Sequence, residues 1–282
     1  MEGVAVKPQV IPFSGGRTSA FMTLEVLKIH HDAEVIFMDT GAEHPKTYEF
    51  IKNFAAHFGI AITCLRCIPP EIKYGKFTYE RIPLEAIRHD LVPWQRILEH
   101  YRHPYIGGAF CTHRMKQLPF EKYCDEKYGK GNYERWLGIR ADEPRRLHER
   151  EGFHYLADIS DFEKPDILDW WKQQPFDLEI PEHLGNCIFC IKKSAKKLAL
   201  AARDEPELYE QFCCCIAEHD CKEGKPEMYR NKMALQDVIA MFKLEDTEEI
   251  RNNIANKKEF ESGSCSESCE AFVCELEEGI NG

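Results

Sequence analysis

The sequence predicts an α/β protein built on a Rossmann-like, doubly wound parallel sheet. Three observations point there: unbroken apolar runs, helical spacing of apolar residues between them, and a glycine turn closing the first run. Val10-Ile11-Pro12-Phe13 is that first run, and it ends in Ser14-Gly15-Gly16. Ala20, Phe21, Leu24 and Leu27 then recur at helical spacing, with Thr18 or Ser19 near the helix start. Val35-Ile36-Phe37-Met38 is continuous, as expected of a parallel strand covered on both faces. Pro45 opens a second helix whose face holds Tyr48, Ile51, Phe54, Ala55 and Phe58. Ile60 to Leu65 reads as a third strand. This alternation implies ligand binding at the C-terminal strand ends.

Farther on, residues 68–110 carry prolines and scattered aromatics and read as short helices or a lid. A helix is expected from Pro119 to Lys127 and a strand from Arg135 to Ile139. The expected organisation is a nucleotide-binding α/β unit over 1–182, a mostly helical cysteine-rich region over 183–243, and an acidic cysteine-containing tail over 244–282.

Composition narrows the classes. With 282 residues, 43% hydrophobic and 11% aromatic, the chain has enough apolar material for a sizeable core, which excludes wholesale disorder. No apolar run approaches the roughly 18 residues of a membrane span. The start, MEGVAVKPQVIPFSGG, lacks a basic stretch and a long apolar core, so a cytoplasmic chain with no membrane partner is expected. Asp and Glu (48) outnumber Lys and Arg (37), for a net charge of −11. Affinity resting on bulk phosphate neutralisation is therefore not expected, although a local basic groove remains open. Thirteen cysteines without a secretion signal point to metal or redox chemistry rather than a disulfide framework, and an odd count precludes complete pairing within the chain.

Ser14-Gly15-Gly16-Arg17-Thr18-Ser19, between a strand and a helix, has the form of a phosphate cradle. Glycines let the backbone turn and approach an anion, while the helix start offers unpaired N–H groups. It is not a Walker A loop, and an ordinary glycine turn would look the same in isolation. Arg140, Arg145 and Arg146 form a cationic cluster beside a predicted strand end, suited to phosphate or to a solvated loop paired with Asp142 and Glu143.

Ser-Gly-Gly-Arg-Thr-Ser resembles the PP-loop of the adenine nucleotide α-hydrolase superfamily. Asp39-Thr40-Gly41-Ala42-Glu43-His44-Pro45-Lys46-Thr47-Tyr48 is similar to a segment of the phosphoadenosine phosphosulfate (PAPS) reductase family, and so is Gly138-Ile139-Arg140-Ala141-Asp142-Glu143. The resemblance runs over roughly residues 10–200, in the PAPS-reductase-like type found in bacteria and their phages. It implies that Ser14, Gly15, Gly16, Arg17, Thr18 and Ser19 hold the phosphates of an adenine nucleotide. Asp39 and Thr40 would line the adenosine pocket, and Arg140 would reach the phosphate end. Arg17, Ser19 and Arg140 are the expected catalytic residues, and ATP with Mg the expected nucleotide cofactors.

Cys187-Ile188-Phe189-Cys190 spaces two thiolates for one zinc or iron–sulfur centre, or for a redox pair. In adenylyl sulfate reductases a Cys-Cys pair precedes an Arg-Lys stretch and a C-x-x-C follows later. Cys111 resembles the second member of that pair, and Phe110 stands in place of the first. The resemblance thus implies a 4Fe–4S cluster on Cys111, Cys187 and Cys190. Either these three are the whole protein ligand set, leaving one iron open for a substrate sulfur, or a fourth comes from elsewhere; Cys215 is the choice from a field that also holds Cys124, Cys213, Cys214 and Cys221. Neighbouring helix residues lie about 100° apart, so the run Cys213-Cys214-Cys215 supplies one or two ligands at most. Arg114, Lys116, Lys192 and Lys193 would balance an anionic cluster. Cys64 and Cys67 read as core residues. The reductases' terminal Glu-Cys-Gly-Leu-His is missing, and Cys265, Cys269 and Cys274 stand in the tail instead.

The leading functional expectation is a PP-loop enzyme that cleaves ATP between the α and β phosphates, adenylylates an oxygen, and delivers sulfur from the cluster. The acceptor would be a nucleic acid or a small molecule, with a cysteine desulfurase or reductant as partner. A sulfonucleotide reductase is the alternative. A non-catalytic nucleotide module with zinc on Cys111, Cys187, Cys190 and His113 or His183 is the third reading.

Overall fold

The computed structural model of the chain describes residues 7–72, 75–220 and 227–256. Gln9–Phe13 (β1), Glu34–Met38 (β2) and Ile62–Ile68 (β3) are parallel neighbours. Thr78–Ile82 (β4) pairs antiparallel with β3, while Glu134–Leu137 (β5) and Phe153–Tyr155 (β6) extend the parallel sheet beyond β1. The order is β4-β3-β2-β1-β5-β6. Arg17–Ile29 (α1), Pro45–Phe58 (α2), Val92–Tyr101 (α3), Leu118–Tyr128 (α4) and Lys164–Lys172 (α5) are the helices that accompany the sheet. Ala195–Asp204 (α6), Pro206–His219 (α7), Leu235–Ala240 (α8) and Thr247–Asn256 (α9) follow.

Successive strand residues point to opposite faces, and both faces of this sheet are covered. Ile11, Phe13, Val35 and Phe37 pack with Phe21, Phe54 and Trp171 of α1, α2 and α5. Val10, Ile36, Met38 and Leu65 instead pack with Phe120, Tyr123 and Cys124 of α4. That double burial is why β1 and β2 read as unbroken apolar runs. His44 caps α2 by accepting the Lys46 N–H at Nδ1 (3.1 Å), Pro45 supplies the first helical residue, and Gly59 ends the helix at φ +65°. No helix among the described residues is long and apolar enough to cross a membrane.

The segment expected to hold short helices or a lid contains β4 and the ten-residue α3. β4 is an edge strand whose residues are mostly half-buried, so its sequence shows no core-like alternation. The third strand starts later and runs farther than expected, and the fourth parallel strand stops at Leu137. Cys221 and the tail with Cys265, Cys269 and Cys274 lie outside the described residues.

The chain adds β2, β3 and β4 on one side of β1, then β5 and β6 on the other. The reversal between β1 and β5 opens a crevice at their C-terminal ends, where Ser14 and Gly138 follow. Phe54 is fully buried beneath this region, its ring stacked on Phe13 at 5.3 Å. Phe54→Ala should cost about 3–5 kcal/mol in urea unfolding. A loss under about 1 kcal/mol would contradict its place in the core.

Candidate functional site

The phosphate loop is shaped by its glycines and held by its own hydroxyls. Gly15 sits at φ +79°, and a Cβ there would come within 2.7 Å of Ile51 Cδ1 and 3.2 Å of Thr47 Cγ2. Glycine alone lets the loop lie this close to α2. The Ser14 N–H donates to Ser19 Oγ (3.1 Å), and Thr23 Oγ1 donates to the Ser19 carbonyl (2.8 Å). Ser19 has no exposed surface, and its hydroxyl braces the loop. Gly16 leads into α1, whose first-turn N–H groups lack intrahelical partners.

The crevice brings Arg140 to this loop. Its Nη1 donates to Thr18 Oγ1 (3.3 Å), while Nε pairs with Asp142 Oδ1 (2.8 Å) and Nη1 lies 3.4 Å from Glu143 Oε2. Arg17 forks onto Asp177 at 2.7 and 3.1 Å and also donates to the Leu178 carbonyl. Both guanidinium groups are thus held by carboxylates. Arg17 ties down the 177–178 segment, and Trp171 Nε1 donates to the Arg17 carbonyl (3.0 Å). Together these contacts close a narrow cleft between Ser14, Gly15, Gly16, Glu43 and Thr47 on one side and Leu178, Ile180, Pro181, Glu182 and Asn186 on the other.

Asp39 and Thr40 do not line this cleft. Asp39 is fully buried and accepts from Arg66 (2.7 Å), Tyr48 Oη (3.0 Å) and the Gly41 N–H (2.8 Å). Burial pushes its carboxyl up, and the Arg66 charge opposes the rise. These bonds fix the turn after β2. Thr40 Oγ1 lies 3.6 Å from Cys187 Sγ and 3.4 Å from Glu43 Oε1, facing the cysteine loop.

That loop is sewn to the end of β2. Glu43 and Cys187 form an antiparallel backbone bridge, and the Ile188 N–H donates to the Ala42 carbonyl at 3.1 Å. Cys187 Sγ lies 3.7 Å from Glu43 Oε1, and Lys116 Nζ reaches the same oxygen at 3.4 Å. Lys116 sits on a π-helical turn, His113–Gln117, just after Cys111. Tyr229 is buried and donates to the Phe189 carbonyl (2.7 Å). Burial drives its pKa well up, and the thiols of Cys190, Cys213, Cys187 and Cys111 push the same way.

Cys213 and the expected ligand Cys215 both lie on α7. Phe189 packs on Phe212 (5.3 Å) and Tyr209 (5.8 Å), which fixes which face of α7 meets the loop. Two helix residues on from Cys213, Cys215 points about 200° away. It is buried, and burial beside Glu218 and Glu99 pushes its thiol up to about 12. Burial does the same to Cys64 and Cys67, both at about 12, and raises Cys124. No disulfide joins the described cysteines.

Cations lie near the cysteine loop. Lys193 is buried and donates to the His183 (2.7 Å) and Ile188 (2.9 Å) carbonyls. Burial depresses its pKa to about 8, with Cys190, Cys187 and Glu43 pulling the other way. The Arg114 guanidinium lies over the rings of Tyr101 (4.0 Å) and Phe110 (4.5 Å), so Phe110 seats a cation. His183 pairs with Asp204 at 2.7 Å. Among the described residues no three His, Cys, Asp or Glu side chains meet as the ligands of a single metal ion. Sequence reasoning missed Glu43, Thr47 and the 177–186 wall. The first two sit in the quoted Asp39–Tyr48 segment, where the signal was available.

The chain matches the phosphoadenosine phosphosulfate reductase domain over residues 8–160, more than half its length, and it belongs to that family. It is 46% identical to the nin region protein ORF290 of Escherichia phage lambda over 279 residues, covering 95% of this chain and 96% of that one. A Methanocaldococcus jannaschii protein is 43% identical over 165 residues, 56% of this chain and 34% of its own. An adenosine 5′-phosphosulfate reductase of Pseudomonas aeruginosa is 36% identical over 76 residues, 25% of this chain and 28% of its own.

Burial orders the thiols by reactivity. At about pH 8, iodoacetamide should modify exposed Cys214 in the native protein, and Cys64, Cys67 and Cys215 only after denaturation. Peptide mass spectrometry reads this, and native labelling of Cys215 ahead of Cys214 would contradict the packing of α7.

Proposed function

We propose that the chain is an enzyme that binds ATP on the phosphate loop and couples cleavage between the α and β phosphates to iron–sulfur-dependent sulfur transfer. The observation that carries this reading is the bridge between Glu43 and Cys187, which sets a cysteine loop against the cleft of a phosphate loop. Cys111, Cys187 and Cys190 would be thiolate donors of a four-iron cluster, and with three protein ligands one iron would stay open. Lys193, Lys116 and Arg114 offset the charge of such a centre. When bound, the cluster would supply an iron able to take up sulfur.

In this reading an acceptor oxygen attacks the α-phosphorus, pyrophosphate leaves, and a sulfur nucleophile then displaces AMP. Arg140 and the α1 amides hold the phosphates as charge moves onto them. The acceptor is a nucleic acid or a small molecule, and a cysteine desulfurase or reductant supplies sulfur or electrons. A second reading, sulfonucleotide reduction, is favoured by the match to adenosine 5′-phosphosulfate reductase.

Anaerobically purified protein should hold about four irons and four sulfides. It should release pyrophosphate from ATP in the presence of acceptor; sulfite release from adenylyl sulfate with no ATP turnover would instead select the reductase. Gly15→Ala should abolish nucleotide binding and leave iron content unchanged, whereas Cys187→Ala should lower iron content and Cys64→Ala should not. Protein with zinc and no sulfide would sink both readings.

A further inference from the structure

Three buried polar atoms without a hydrogen-bond partner belong to residues that line the same cleft: Ser14 Oγ, Thr47 Oγ1 and Glu43 Oε2. They come from the phosphate loop, the first turn of α2, and the turn after β2. Glu43 is 1% exposed and Thr47 4%, so bulk water does not satisfy these atoms. An orphaned buried carboxylate oxygen costs more than an orphaned hydroxyl, and one that lines a cleft indicates a ligand.

The ligand chemistry follows from charge. The cleft's charged side chains are Arg17, Glu43 and Glu182. Each already faces a counter-ion: Arg17 meets Asp177, Glu43 meets Lys116, and Glu182 meets Lys164 (3.1 Å) and Lys197 (2.9 Å). A polyphosphate would therefore enter a lining whose charges are balanced, beside a carboxylate oxygen that can only accept. Phosphate oxygens and Glu43 Oε2 repel each other unless a cation stands between them. Lysine is too far committed to do this, since Lys116 reaches Oε1 and not Oε2.

We propose that Glu43 Oε2, Thr47 Oγ1 and Ser14 Oγ form a hydrated divalent-cation site that bridges the cleft to nucleotide phosphates. Magnesium is the fitting ion, because it keeps several waters and takes one or two carboxylates plus phosphate oxygens. The two hydroxyls bind the ion or its waters. The nucleotide half of this proposal rests on the reading of the phosphate loop given above.

Manganese serves as the probe, followed by its electron paramagnetic resonance signal on the full chain, alone and with a non-hydrolysable ATP analogue. Wild type should bind Mn2+ more tightly with the analogue than without it. Glu43→Gln should weaken Mn2+ binding by about tenfold or more in both arms. Thr47→Val, which removes a hydroxyl that has no partner and should fold normally, should weaken it less. Equal Mn2+ affinity in wild type and both variants would overturn the cation site even if the analogue binds. Failure of the analogue to bind any chain, with the Glu43→Gln loss of Mn2+ retained, would overturn the nucleotide reading and leave the cation site standing.

Discussion

The hydrogen bond from the Ile188 N–H to the Ala42 carbonyl, with the Glu43–Cys187 bridge beside it, joins two parts of the chain more than 140 residues apart. Backbone pairing of this kind fixes both partners in position and orientation, since each buried N–H and C=O needs a partner. The turn after β2 is rigid in its own right, because Asp39 is fastened by Arg66, Tyr48 and Gly41. Rigidity on one side of the stitch is thus passed to the other. The cysteine loop is placed by the sheet, even though it lies well beyond the last strand.

Electrostatics in the site follow one pattern: positive groups are present but already engaged. Arg17, Arg140, Lys116 and Lys193 are each buried or nearly so, and each meets a carboxylate or carbonyl. Buried cations need such partners, and the pairing sets where each charge points. A ligand therefore meets a fixed field rather than mobile side chains that must reorganise around it. Preorganisation of that kind is what favours a charged transition state over a charged ground state.

Much of the fold was legible because its signals are local. A glycine pair after an apolar run marks the phosphate loop, and unbroken apolar runs mark strands buried on both faces. The order of motifs along the chain also put Arg140 near the loop, because the strand reversal is implied by the fold class. What the sequence left hidden at the site shares a cause: the deciding partner is distant in sequence. Asp39 looked like a ligand contact until Arg66, on the next strand, took its carboxylate. Arg17 looked available until Asp177 took its guanidinium. Cys213 and Cys215 are equivalent in the sequence, and their different burial comes from how α7 packs. β4 and β6 were missed for a different reason: one is a half-buried edge strand and the other has three residues, too few to show a period.

The Arg17–Asp177 tether bears on how the protein is made. The family-matching stretch ends at residue 160, so it includes the loop that would grip phosphate but not the wall that closes over it. On a ribosome adding about 5–20 residues per second, β1 to β6 emerge first and can assemble while α5 and the 177–186 segment are still being synthesised. During that interval Arg17 lacks its Asp177 partner, and the crevice has no 177–186 wall. Completion of the cleft is thus a late event in the life of the nascent chain, and any early termination between residues 160 and 177 yields a sheet without its enclosure.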